Sequence, residues 1–207
     1  LNTEYGFGGR GHIAGYTTNF PYCVGGILRG VKDGYKESWQ RVVTGAGKEV
    51  ELDLVPLYEF PTNKITIIKH NFVDAENVGP GVKLKEGELG LVKVTFRKKD
   101  DLPRTPFHES TITKAVTKDQ EAVETLDNLN FLAKADFTYE LEVSVLGNEM
   151  FVGGYKGNWI VPWSALKNAQ EIVFHVASRE TNNEEKTFDL MMNLGEYSKY
   201  VPAPEIK

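Results

Sequence analysis

Phe137-Thr138-Tyr139-Glu140-Leu141-Glu142-Val143-Ser144-Val145 alternates apolar and polar residues without a fault. Successive side chains of a strand point to opposite faces, so this run offers one face to a core and the other to water. β-branched and aromatic residues make up the apolar face, which favours strand over helix. The expectation is a half-buried strand with Phe137, Tyr139, Leu141, Val143 and Val145 on its covered side.

Working outward, the same period of two recurs. Gly147-Asn148 turns the chain, and residues 150–155 and 158–163 read as a hairpin around Lys156-Gly157. Residues 64–73 carry Ile65, Ile67 and Ile68 and read as a strand, as do residues 89–97. The near-continuous hydrophobicity of the latter suits a central position. Residues 26–31 and 35–43 flank Lys32-Asp33-Gly34, a hairpin turn signal that puts Tyr35, Trp39 and Val43 on one face. Val50, Leu52 and Leu54 alternate with Glu51 and Asp53. The last strands are expected at residues 171–177 and 187–194, separated by a polar loop, residues 179–186. Residues 98–110 read as a long exposed connection, and residues 164–168 as a short helical turn.

One segment breaks the period. Thr117-Lys-Asp-Gln120 fits a capping box, and Ala122, Leu126, Leu129 and Ala133 follow at helical spacing. This predicts one principal α-helix over about residues 118–134. The fold class expected is mainly β: an antiparallel β-sandwich or barrel of roughly ten strands, with that helix and extended N- and C-terminal arms. The domain reading is a glycine- and aromatic-rich arm over residues 1–26, a single β-rich domain over 27–198, and an extended tail over 199–207 with polyproline character.

Composition narrows the function classes. The chain has 207 residues, 41% hydrophobic and 26% charged, as an ordinary globular domain does. Its 24 Lys and Arg against 29 Asp and Glu give a net charge of -5, with both signs scattered. A nucleic-acid partner needs a clustered basic surface, and the densest run, Arg97-Lys98-Lys99, is cancelled by Asp100-Asp101. No stretch reaches the roughly 20 apolar residues of a membrane-spanning helix. The single cysteine, Cys23, forms no intrachain disulfide, and no Asn-x-Ser/Thr sequon is present.

Chemical motifs are weak. Gly6-Phe-Gly8-Gly-Arg-Gly11 matches a dinucleotide fingerprint by letter but lacks the strand before and helix after that the mechanism requires. Gly45-Ala-Gly47-Lys48-Glu49 has neither the glycine spacing of a phosphate loop nor its Ser or Thr. His12, His70, His108 and His175 are far apart, and Asp74-x-Glu76-Asn77 lacks the further ligands of a calcium loop. Glu51, Glu140 and Glu142 alternate outward as solvated acids do. No cofactor, metal or catalytic residue is expected, and an enzyme is disfavoured.

Two functional readings remain. In the first, the chain is a structural assembly subunit, of virion capsid, tail or surface-fibre type, in a virion or extracellular assembly. Tyr5, Phe7, Tyr16, Phe20 and Tyr22 would grip another copy or a neighbouring structural protein, because a glycine-rich segment cannot bury them locally. The alternative is a carbohydrate- or ligand-binding β-sandwich. Sugar rings stack on flat aromatics, and Tyr155, Trp159 and Trp163, with Trp39, are the candidates. On a regular strand Trp159 and Trp163 would share a face about 13 Å apart.

Overall fold

The structure, a computed structural model, describes residues 4–7, 12–15, 21–45, 49–74, 76–99, 106–116, 122–124, 128–147, 150–179 and 184–207. The fold is mainly β, and its contacts divide the chain into two compact units, Leu1–Leu54 and Val55–Lys207.

The first unit holds two antiparallel strand pairs. β1 (Glu4–Phe7) pairs with β2 (His12–Gly15), so the segment whose sequence shows no period contains a ladder. β3 (Val24–Gly30) pairs with β4 (Ser38–Val43), and Asp33-Gly34 makes the turn between them, closed by a hydrogen bond from the Tyr35 amide to the Lys32 carbonyl. Residues 49–54 form no ladder, although Leu52 and Leu54 keep the expected alternation and lean on the β3–β4 pair at Gly30.

The second unit is a curled half-barrel. In chain order its elements are β5 (Leu57–Phe60), a 3-10 turn (Thr62–Lys64), β6 (Ile65–Phe72), β7 (Val78–Lys83), β8 (Glu88–Phe96), β9 (His108–Val116), β10 (Ala122–Glu124), β11 (Leu129–Leu132), β12 (Phe137–Gly147), β13 (Met150–Val161), α1 (Trp163–Leu166), β14 (Ile172–Ser178), α2 (Glu184–Met192), α3 (Leu194–Tyr197), a second 3-10 turn (Ser198–Tyr200) and β15 (Glu205–Ile206). The main sheet runs β10-β9-β8-β12-β13-β14-β6-β7, with β15 also on β14, and β5 pairs separately with β11. The sheet is mixed rather than wholly antiparallel, because β14 and β6 run parallel.

β12 behaves as its alternation requires. Tyr139, Leu141, Val143 and Val145 are buried, cross-strand from Trp159 and Tyr155 on β13 and from Val92 and Val94 on β8. Side chains complete the curl. Lys69 on β6 reaches Glu88 on β8 at 2.5 Å, although three strands separate them in the ladder order. The Lys114 ammonium on β9 donates to the Ile65 carbonyl at the start of β6. Gly90 on β8 lets the Ile67 side chain of β6 approach closely, and a Cβ there would force that side chain to move. The Lys69 ammonium is fully buried, and its pairing with Glu88 offsets part of its desolvation.

Three expectations are corrected. The helix over 118–134 is not formed across that span: residues 122–124 are β10 and Leu129–Leu132 is β11, antiparallel to β5. A short apolar run fits both periods, and here Leu129 and Phe131 alternate into the core in a ladder with β5. The capping box at Thr117 lies outside the described residues. The strand expected over residues 187–194 is instead the end of α2 and the start of α3, with Leu190 and Leu194 both buried in the core. The hairpin around Lys156-Gly157 is instead one continuous strand, β13. The last residues also join the sheet: β15 lies antiparallel to β14, and the Lys207 amide bonds the Glu171 carbonyl at 2.8 Å.

Candidate functional site

The first site is the outer face of the β3–β4 pair. Cross-strand partners share a face, and the register pairs Ile27 with Arg41, Arg29 with Trp39, and Val24 with Val43. Val24 and Ile27 are three apart, so a regular strand would point them to opposite sides. A bulge between Val24 and Gly26 corrects the phase, and Gly25 within it has φ +87°. The opposite face, with Leu28, Gly30 and Val42, is half-buried over Leu52 and Leu54.

Nothing described covers the outer face. Tyr22, Val24, Ile27, Val31 and Trp39 are 79%, 73%, 68%, 67% and 65% exposed. Exposed apolar residues are ordinary singly; a contiguous stripe of large ones marks a surface that meets something. Charge is mixed along it. Arg29 grips Glu37 through two hydrogen bonds of 2.5 Å, which raises the guanidinium and holds the Glu37 carboxyl below its usual range. Beside the stripe, Arg41, Val43, Glu49 and Glu51 line a shallow groove of about 340 Å³. Thr44 clips the base of the hairpin, accepting from the Cys23 amide at 2.6 Å and donating to the Pro21 carbonyl at 2.7 Å. Cys23 is a free, exposed thiol.

The second cluster lies in the other unit. His70 on β6 and His175 on β14 are 105 residues apart, yet the parallel register sets His70 Nε2 and His175 Nδ1 2.9 Å apart. Both rings are buried. His70 Nδ1 lies 3.2 Å from the Gly79 carbonyl, and His175 Nε2 is 3.7 Å from Glu205 Oε1. Burial and the neighbouring His70 push the His175 imidazole below its ordinary range, Glu205 opposing. No group of three or more metal-ligating side chains occurs among the described residues.

The sequence-predicted residues are scattered. Tyr5 and Phe7 lie in β1, paired with Ala14 and His12, while Tyr16 and Phe20 lie outside the described residues. Tyr22, two residues before β3, is exposed. Tyr155 and Trp159 are core residues of β13; the Trp159 ring stacks edge-on against Phe131 and Phe174. Trp163 is not on that strand, which ends at Val161; it opens α1, half-buried against Tyr58. His108 is buried within hydrogen-bond reach of the Asn130 carbonyl, 2.7 Å away.

Comparison with known proteins adds no function: no protein family, no curated protein and no solved structure matches the chain. Sequence reading missed Val24, Ile27 and Val31 as surface residues. The signal available was a hairpin with apolar residues on both faces and only one short amphipathic run, residues 50–54, in its own unit to cover them.

Proposed function

We propose that this chain is a non-enzymatic assembly subunit, of the kind that builds shells, tails or fibres, and that its N-terminal unit docks on a second copy. The observation that carries the reading is the open outer face of β3–β4, on which Val24, Ile27 and Trp39 are largely exposed. A two-stranded sheet is marginal alone, and both outer edges of β3–β4 lack a ladder partner among the described residues. A second copy would supply strands and apolar cover together. Self-complementary charge supports this occupant: Arg41 and the acids Glu49 and Glu51 flank one groove, so a two-fold contact sets each copy's arginine near the other's carboxylates. Residues 1–26, with their aromatics, extend the same contact.

Light scattering over a concentration series tests the reading. The intact chain is expected above its 23.2 kDa monomer mass, and the double variant Ile27→Ser, Trp39→Ser at the monomer mass with an unchanged circular dichroism spectrum. A wild-type chain that stays monomeric at hundreds of micromolar overturns it. So does a variant that assembles as well as the parent.

A further inference from the structure

The hydrogen-bond chain at His70 and His175 fixes its own tautomers. The Gly79 carbonyl only accepts, so His70 Nδ1 carries a hydrogen and donates to it. In the neutral ring His70 Nε2 is then an acceptor, and His175 Nδ1 must donate to it. That leaves His175 Nε2 as a bare lone pair, buried and without a hydrogen-bond partner among the described residues, aimed at the Glu205 carboxylate 3.7 Å away. Two acceptors face each other there. The gap is too long for a direct hydrogen bond and short for a bridging water, whose two legs would span about 4.5 Å.

One proton resolves the mismatch. We propose that His70 and His175 bind a single proton between them, that Glu205 is the group that holds it, and that this proton couples the seating of β15 on β14 to pH. Protonated His175 donates from Nδ1 to His70, and its Nε2–H faces the Glu205 carboxylate as an ion pair that a closure of about 1 Å turns into a hydrogen bond. A second proton on His70 Nε2 would remove the acceptor that His175 Nδ1 uses, so the chain of bonds has room for one proton. A divalent cation suits the place less well, because the Lys207 ammonium already sits 2.6 Å from Glu205 Oε2.

The charged surroundings are few. From β6 comes His70 itself, Lys69 facing the interior of the half-barrel. From β15 come Glu205 and Lys207, and from the residue before β14 Glu171, whose carboxylate accepts from Thr66 at 2.5 Å. β7 sets Lys83 beside Ile68 on the same sheet face, about 10 Å off at two strand spacings. β13 carries the exposed Lys156, and the second 3-10 turn carries Lys199, which is paired with Glu196 at 2.6 Å. Glu205 favours the charged ring, while burial, His70 and Lys207 oppose it.

The signs follow. A histidine held below its unfolded value of about 6.5 contributes stability that is whole above that pH and is lost as pH falls toward the folded value. Acid therefore costs the fold as a whole. Within folded molecules the proton and the Glu205 contact favour each other reciprocally, so β15 is held more firmly as the ring charges.

Ring-nitrogen NMR of the four histidines between pH 4.5 and 8.5, with amide exchange of Lys207, tests this. In the wild type His70 and His175 are expected to share one midpoint, and intrinsic-rate-corrected exchange at Lys207 to slow through it. Glu205→Gln should lower that midpoint at least about threefold in proton affinity and abolish the Lys207 response. Lys207→Ala should move the midpoint the other way, which keeps the proposal testable if the first variant disturbs the strand. Independent, ordinary titration of the two rings, or a midpoint unmoved by both substitutions, overturns it. Lys207 exchange that ignores the midpoint overturns the coupling to β15.

Discussion

Trp159 in the β12–β13 hairpin is 5% exposed, and Trp39 in the β3–β4 hairpin is 65% exposed. Both sit in antiparallel pairs whose apolar residues alternate. The difference lies in what surrounds each pair. β12 and β13 have a ladder partner on either side, β8 and β14, and Trp159 meets Phe131 from the separate β5–β11 pair. Among the described residues β3 and β4 have only each other as ladder partners, and the run through Leu52 and Leu54 reaches one face at Gly30. Alternation thus states which face is apolar; whether that face is covered depends on elements distant in sequence.

The largest expected effect tests that contrast directly. Leu141→Ala removes a fully buried side chain from β12 and should cost roughly 2 to 5 kcal/mol in urea denaturation, through lost transfer energy and the cavity left behind. Ile27→Ala in β3 should leave the dilute monomer within about half a kcal/mol of wild type. Equal losses would mean that the outer face of β3–β4 is buried in the monomer, and the comparison would fail.

A smaller effect sharpens the buried side. Burial pushes the Tyr139 hydroxyl up to about 12, against the Leu132 amide, which donates to it at 2.8 Å. A folded value above the unfolded one near 10 means that this group's stability is whole below pH 10 and is lost as pH rises through about 12. Tyr139→Phe should therefore flatten the alkaline decline of stability. At neutral pH it should cost about 1 kcal/mol, since Leu132 loses a side-chain acceptor. An ordinary phenolate titration near pH 10 by ultraviolet absorbance would show that Tyr139 is not enclosed.

How far the sequence could be read follows from the range of each interaction. The face of β12 was legible because nine consecutive residues encode it. The Asp33-Gly34 turn was legible for the same local reason. Residues 129–132 were not, since Leu129 suits a helical stripe and a strand equally, and pairing with β5, some seventy residues earlier, decides between them. The His70–His175 contact was invisible for the same reason: parallel pairing of β6 with β14 has no local signature. Of the candidate site, Tyr22 and Trp39 were in view as single aromatics. The stripe that Trp39 joins was not, because it depends on a bulge that changes the phase of β3.

That bulge supplies the smallest effect and the sharpest test of the open face. Gly25 and Gly34 both have positive φ, +87° and +74°, and a Cβ at either would meet nothing within 4 Å. Alanine at each therefore introduces the same backbone strain, about 1 to 2 kcal/mol, without a clash. The consequences for the surface differ. Gly34 sits in the turn, so Gly34→Ala leaves the β3–β4 register alone. At Gly25 the strain is relieved by ironing out the bulge, which sends Val24 to the side of Leu28 and shortens the apolar stripe. Both variants should lose similar stability in denaturation, but only Gly25→Ala should weaken self-association, by roughly tenfold for one valine's burial. If both associate alike, the bulge does not set the contact surface, and the stripe from Ile27 to Trp39 acts without Val24.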